Sequence, residues 1–227
     1  MPKKSLGIDV LTAAQERIAF AFDNFPKISI SFSGGKDSTV MLHLVMDEAK
    51  RRNRGVAVLF IDLEGQYKLT IEHIQKCFDL YGENIEPFWI CLPLHLRNAV
   101  SVYETHWICW DKEKELSWIR PLPALGINDE KCFPFFLKGM EFEEFVPEFS
   151  RWYANGESCA SFVGIRADES LNRYRTIQTL KKGRFQEKQW TTRVIDNVYN
   201  IYPLYDWKVD DLWIYHFRNP DKPYNQL

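Results

Sequence analysis

An apolar run that halts at two consecutive glycines constrains this chain more than any other feature. Ile28 to Phe32 is short and β-prone, Ser33-Gly34-Gly35 follows, and Val40, Met41, Leu44 and Val45 then recur at helical spacing. Strand, glycine turn and helix form the opening unit of a parallel sheet, and the alternation continues. Val56 to Ile61 is almost continuously apolar, as a strand buried on both faces requires, and Leu69 to Leu80 behind it has helical periodicity. Ile85 to Leu92, Ala160 to Ile165 and Val194 to Ile201 read as further strands; helices are expected over Leu6 to Phe25, from Asp168 and from near Val209. This order predicts an α/β fold, a doubly wound, mainly parallel sheet with helices on both faces.

The 227 residues are expected to form a single domain, 1–227. With 45% hydrophobic and 26% charged residues and a net charge of -2, the composition excludes a disordered chain and a generally basic one. No apolar stretch approaches the roughly 20 residues that span a bilayer, and the basic start runs into polar sequence where a secretory signal has an apolar core. No membrane contact and a cytoplasmic location are therefore expected. Five isolated cysteines read as free, mostly buried thiols.

From about residue 96 to 150 the alternation gives way to a Trp- and Pro-rich insertion containing Trp107, Trp110, Trp118, Pro121, Pro123 and Pro134. Charge is segregated. Glu104 to Glu148 holds ten acidic and five basic residues, whereas Arg166 to Arg193 holds eight basic and three acidic. Within the basic stretch, Lys181, Lys182, Arg184, Lys188 and Arg193 surround Phe185 and Trp190. A solvated loop is the plain reading, and contact with nucleic acid or a partner protein is the alternative.

The segment SFSGGKDSTVMLHL assembles an anion site from backbone. Glycines let N–H groups approach an oxyanion closely, and the helix start adds unpaired donors and the positive end of its dipole. Ser33 and Ser38 supply hydroxyls and Lys36 a compact cation. A Walker A loop needs a glycine where Ile30 stands, and no Gly-x-Gly-x-x-Gly occurs, so neither a P-loop nor a dinucleotide fingerprint is present.

Ser-Gly-Gly-Lys-Asp-Ser after a first strand resembles the PP-loop of the adenine-nucleotide α-hydrolase-like superfamily. Within it, GIRADESLNR (Gly164 to Arg173) and YPLYDWKVDDLWIY (Tyr202 to Tyr215) look like the phosphoadenosine phosphosulfate (PAPS) reductase branch. FIDLEGQYKLTIEHI and the Trp-rich insertion resemble an uncharacterised sub-branch described as PAPS sulfurtransferases, some of whose members are described as co-activators of prophage genes. The resemblance implies an adenine nucleotide as ligand: ATP with Mg²⁺, or PAPS or adenosine phosphosulfate.

Candidate ligand-binding residues are then Ser33, Gly34, Gly35, Lys36, Asp37, Ser38, Asp62, Gly164, Arg166, Glu169, Ser170 and Arg173, with Lys36, Asp37 and Arg166 as the catalytic set. Arg166 and Arg173 read as a clamp for the ligand's distal anion, since guanidinium forks match phosphate and sulfate oxygens. Asp62 follows the second strand, where a carboxylate takes a ribose hydroxyl or a metal, with Glu64 close behind; the alternative is an ordinary polar turn. Asp37 is either a helix-start carboxylate or, with Asp62, a Mg²⁺ ligand. Asp206 reads as a helix cap.

One departure from the family matters. The best-known reductases carry a carboxyl-terminal Glu-Cys-Gly-Leu-His segment whose cysteine attacks sulfur, and it is absent here. The chain stops at Pro-Tyr-Asn-Gln-Leu, where relatives are expected to continue, so the carboxyl end reads as truncated or as completed by another chain. Two classes of function remain: an enzyme cleaving between α and β anions, by adenylation or sulfonucleotide chemistry, or a nucleotide-sensing module that acts with a partner protein or DNA.

Overall fold

The computed structural model describes residues 7–98, 100, 102–178 and 183–227. Lys181, Lys182 and Leu6 lie outside them. Seven strands form one sheet in the order β6 (Gly126–Ile127), β3 (Ile85–Ile90), β2 (Val56–Ile61), β1 (Lys27–Ser31), β7 (Cys159–Val163), β9 (Val198–Ile201), β8 (Thr191–Ile195). Every pairing is parallel except β8 with β9. A separate antiparallel pair, β4 (His95–Arg97) and β5 (His106–Ile108), rises from the insertion. The α/β fold is mainly parallel, as the strand-helix alternation predicts.

Side-chain alternation shows which helices cover which face. Phe162 of β7 meets Phe22 of α1 (Val10–Asn24) at 6.4 Å, and Trp89 of β3 meets Phe78 of α3 (Lys68–Tyr81) at 5.7 Å. On the opposite face, Phe88 of β3 stacks edge-on against Phe149 of α4 (Phe142–Ala154) at 4.9 Å, and Lys27 of β1 lies over Tyr153 of α4. Both faces are thus covered, which is why β2 buries consecutive residues from Val56 to Phe60. Against the first face, α2 (Lys36–Arg51) packs between α1 and α6 (Val209–Arg218).

Three expectations need correction. Val194 to Ile201 is not one strand but the hairpin β8–β9, turned at Asn197, which adopts φ of +62°; Asn tolerates that left-handed conformation better than most residues. The helix expected from Asp168 begins at Leu171 as α5 (Leu171–Gln178), with the Ser170 hydroxyl accepting from Arg173 N at 3.2 Å. Asp206 caps nothing: Arg17 of α1 grips both its oxygens, at 2.8 and 2.7 Å, and also donates to Pro203 O. The α6 start instead has Lys208 N donating to Asp211 at 2.7 Å.

The insertion also hides a helix that belongs to the sheet. In α4, Phe145 and Phe149 are fully buried although Pro147 sits between them. Phe149→Ala is expected to cost about 3–5 kcal/mol in urea denaturation, the range for deleting a core aromatic; a loss below about 1 kcal/mol would show that α4 is peripheral.

Candidate functional site

The strand order turns about β1. Its neighbours β2 and β7 run to opposite sides of the sheet, and in open α/β sheets the crevice beyond the strand ends at such a reversal receives ligands. A cleft of about 360 Å³ lies there. Ser31, Ile61 and Val163 bring in the carboxyl ends of β1, β2 and β7; Phe142 and Val146 of α4 contribute an apolar wall; Ser33, Ser38, Gly164 and Arg173 add the polar part.

The corner from β1 to α2 is built by close approach. Gly34 has φ of +75°, and a Cβ on it would stand 2.9 Å from Ile74 Cγ1 and 3.1 Å from Thr70 Cγ2 of α3. Only glycine fits both the conformation and the space. Gly35 occupies the cap position of α2 and no side chain closes it, so the amides of Lys36, Asp37 and Ser38 begin the helix without intrahelical partners. Ser38 Oγ lies 3.0 Å from Ser33 Oγ and donates to Gly35 O at 3.0 Å, which ties the turn across itself. Lys36 is half exposed, with Nζ 3.7 Å from Asp37 Oδ2.

From the other side, β7 presses on the same helix start. A Cβ on Gly164 would stand 2.8 Å from Ser38 Cα, so the turn after β7 lies against the first turn of α2. That contact brings Arg166, 5% exposed, to donate from Nε to Asp37 Oδ1. Arg166, expected from sequence in a clamp with Arg173, thus lies beside the glycine corner, where Asp37 holds it. Arg173, exposed at the cleft, has Glu169 Oε2 3.6 Å away; Glu169 and Ser170 precede α5 rather than lying within it.

Asp62 has a different job from the one its position suggested. It is fully buried and its oxygens receive Trp89 Nε1 at 2.7 Å, Glu64 N at 3.0 Å and Arg120. Glu64 accepts from Trp110 N at 2.8 Å and Ile119 N at 3.1 Å, while Trp110 Nε1 donates to Asp62 O at 2.8 Å. These two carboxylates fasten the insertion to the end of β2. A role for Asp62 in holding ribose or Mg²⁺ is overturned, because its lone pairs are committed inside the protein. Asp37 is flanked by Arg166 and Lys36, so this donor set does not fit a protein-held Mg²⁺. Among the described residues no group of three or more metal-ligating side chains occurs.

Sequence reasoning missed the apolar wall from α4 and Gln66, which also lines the cleft. The cysteines stand apart from it. Burial raises the thiols of Cys77 and Cys109 to about 12 and that of Cys159 to about 11, and pushes Cys91 up as well. Cys132 is exposed in the insertion and does not line the cleft.

Behind the corner, two buried histidines brace α2. His73 Nε2 pairs with Thr39 Oγ1 at 2.8 Å. His43 Nε2 lies 2.8 Å from Pro223 O, an acceptor, so it carries the proton and Nδ1 accepts from Tyr81 OH.

Comparison with known proteins identifies the family and the fold. The family model described as phosphoadenosine phosphosulfate reductase domain matches residues 27–95 and 140–227, omitting most of the insertion, and the chain belongs to that family. The uncharacterized protein YbdN of Escherichia coli (strain K12) is 43% identical over 217 residues, covering 94% of this chain and 53% of its own length. The uncharacterized protein MJ0066 of Methanocaldococcus jannaschii is 28% identical over 92% of this chain and 36% of its own length. The chain thus spans about half, or less, of the curated relatives it matches. The fold is shared with phosphoadenylyl-sulfate (PAPS) reductase from Candida auris, solved as a phosphate complex, at a TM-score of 0.51 and 16% identity, covering 94% of this chain and 82% of that one. Among the described residues, no helix is long and apolar enough to cross a membrane.

Burial lowers His43 to about 3 and His73 to about 4, from 6.5. Below pH 6.5 the unfolded chain takes up protons that the folded chain refuses, so their contribution is complete above pH 6.5 and declines as pH falls toward 4 and 3. The unfolding free energy from urea denaturation, and with it the midpoint, is expected to drop between pH 7 and pH 5, by on the order of 1 kcal/mol per pH unit for each histidine, and His73→Gln to flatten the slope. A midpoint unchanged across that interval would contradict neutral burial.

Proposed function

We propose that this chain is an adenine-nucleotide-binding PP-loop domain that acts on ATP or a sulfonucleotide, at the bond between the α-phosphate and the next anion. The observation that carries the reading is the uncapped start of α2 behind a glycine corner, whose Ser33 and Ser38 line a cleft where the strand order reverses. The amides of Lys36, Asp37 and Ser38, together with the Lys36 ammonium, form a fixed positive field for the β-phosphate or sulfate. Apolar Phe142 and Val146 suit a base, and Arg173 suits a peripheral phosphate.

Arg166 acts in this reading as the second cation, oriented by Asp37, so Lys36, Asp37 and Arg166 work as one unit. As negative charge grows on the departing pyrophosphate, or on the nucleotide phosphate released when an external thiol attacks the sulfonate sulfur, donors already in position stabilise it without reorganisation. The attacking group comes from outside the chain described here. No cysteine lines the cleft, and the buried thiols are held protonated, which disfavours thiolate attack from within. Where ATP is the ligand, Mg²⁺ arrives on its phosphate oxygens rather than on a protein carboxylate pair. A partner protein or nucleic acid enters as the acceptor.

ATP, AMP, adenosine phosphosulfate and PAPS, each with and without Mg²⁺, distinguish the two anion chemistries by thermal shift, since a ligand selective for the native state stabilises it. Lys36→Ala is expected to weaken the preferred ligand by about 1.5–3 kcal/mol in calorimetry, the worth of a hydrogen bond to a charged group. Equal affinity in the variant, or no stabilisation by any of the four compounds, would refute the assignment. Pyrophosphate release from ATP, or sulfite release from a sulfonucleotide given an external thiol, reports turnover.

A further inference from the structure

The Gly34–Gly35 peptide poses a mechanical problem that another part of the chain solves. Peptide units with glycine on both sides rotate more freely than any others, so this one has two accessible orientations. In one, its N–H faces the cleft and attracts an anion. In the other, its carbonyl faces the cleft and repels it. The peptide is trans, so carbonyl and N–H point in opposite directions and anchoring one aims the other.

Asn225 supplies the anchor. Its Nδ2 donates to Gly34 O at 2.9 Å and to Thr70 Oγ1 at 3.2 Å, and the residue is 7% exposed. Its Oδ1 accepts from Leu227 N at 3.0 Å, which fixes the amide's orientation: the nitrogen must face Gly34. Beside it, Pro223 O receives His43 of α2, and Lys222 Nζ bonds Asp47 of α2 at 2.5 Å. Residues 222–227 are thus bolted to the helix that carries the loop. Meanwhile Gly35 N–H makes a long 3.4 Å contact with Ser33 Oγ, a weak bond that a ligand oxygen replaces easily.

We infer that Asn225 is a positioning residue for the anion site: by holding the Gly34 carbonyl inward, it keeps Gly35 N–H turned toward the ligand. The inference rests on the PP-loop reading above and adds to it a residue 191 positions from Gly34 in sequence that no loop motif contains. Asn225 never touches the ligand. Its amide acts through one peptide plane, so its effect is confined to the anionic end of a nucleotide and leaves the base end alone.

The test compares inorganic pyrophosphate with adenosine, by calorimetry, on the whole chain. Asn225→Ala removes the donor, and Asn225→Asp replaces it with a carboxylate of the same shape that repels the Gly34 carbonyl. Both are expected to bind pyrophosphate roughly tenfold more weakly or worse, the scale of one lost hydrogen bond, with Asp the more severe and adenosine affinity unchanged. Thr70→Val, which removes the other acceptor and keeps the shape, is expected to bind pyrophosphate like the parent. Parent-like pyrophosphate affinity in both Asn225 variants overturns the inference, as does an equal loss for pyrophosphate and adenosine, the mark of general destabilisation.

If the parent binds no pyrophosphate, the PP-loop reading fails and the inference with it, a result distinct from variants that match a binding parent. Should the variants not fold, hydrogen exchange on the parent decides. Gly35 N–H is expected to exchange quickly in the free protein and to be protected by pyrophosphate; a Gly35 amide already protected without ligand overturns the inference.

Discussion

Three amides at the start of α2 have no side chain capping them, next to a cleft that Ser33 and Ser38 help to line, and the rest of the architecture exists around that exposure. Unpaired backbone donors at a buried helix end are costly unless water or a ligand satisfies them. Here Gly35 and Lys36 are exposed, so water or a ligand can take these donors, while the surroundings hold the corner firmly. On one side α3 closes on Gly34 so tightly that no Cβ fits; on the other, Gly164 lets the end of β7 touch Ser38. Removing Cβ atoms at these two places is what lets three elements converge on one turn. The sheet supplies direction, since β1 points its carboxyl end at the place where the strand order reverses.

Charge is distributed with the same economy. The two carboxylates that follow β2 look from sequence like ligands for a nucleotide, yet both are spent inside the protein. Asp62 and Glu64 collect donors from Trp89, Trp110, Ile119 and Arg120, and so pin the insertion across the end of the strand. A buried carboxylate is costly without such hydrogen-bond partners. Arg120 also lies over the Trp110 ring at 4.9 Å, adding a cation–π contact to the joint. The insertion is therefore fastened to the sheet through polar contacts at a point next to the cleft. The cations near the helix start are divided: Arg166 is buried against Asp37, whereas Lys36 stays half exposed.

Much of this was legible in the chain itself, because the signals were local. The apolar run of β2 and the glycine corner before α2 each depend on a few neighbouring residues, and both emerge where the pattern put them. What sequence did not reveal depends on distant pairing. Asp62 follows a strand in the manner of a ligand-binding carboxylate, and nothing nearby announces that Arg120 will reach it. Asn225 lies far from Gly34 along the chain, so its grip on that carbonyl has no local signature. The α4 helix was obscured by Pro147 and the aromatic density around it, which resemble irregular sequence until Phe145 and Phe149 are seen to pack under the sheet. The β8–β9 hairpin reads as one strand from sequence because its turn, at Asp196 and Asn197, is short and flanked by β-prone residues on both sides.

The most direct test of the central claim is a crystal structure of the chain with ATP or its sulfonucleotide counterpart bound. The anion beyond the α-phosphate is expected within hydrogen-bond distance of the amides from Gly35 to Ser38, with the base against the α4 wall of the cleft. A nucleotide bound elsewhere, with those amides facing only solvent, would contradict the account.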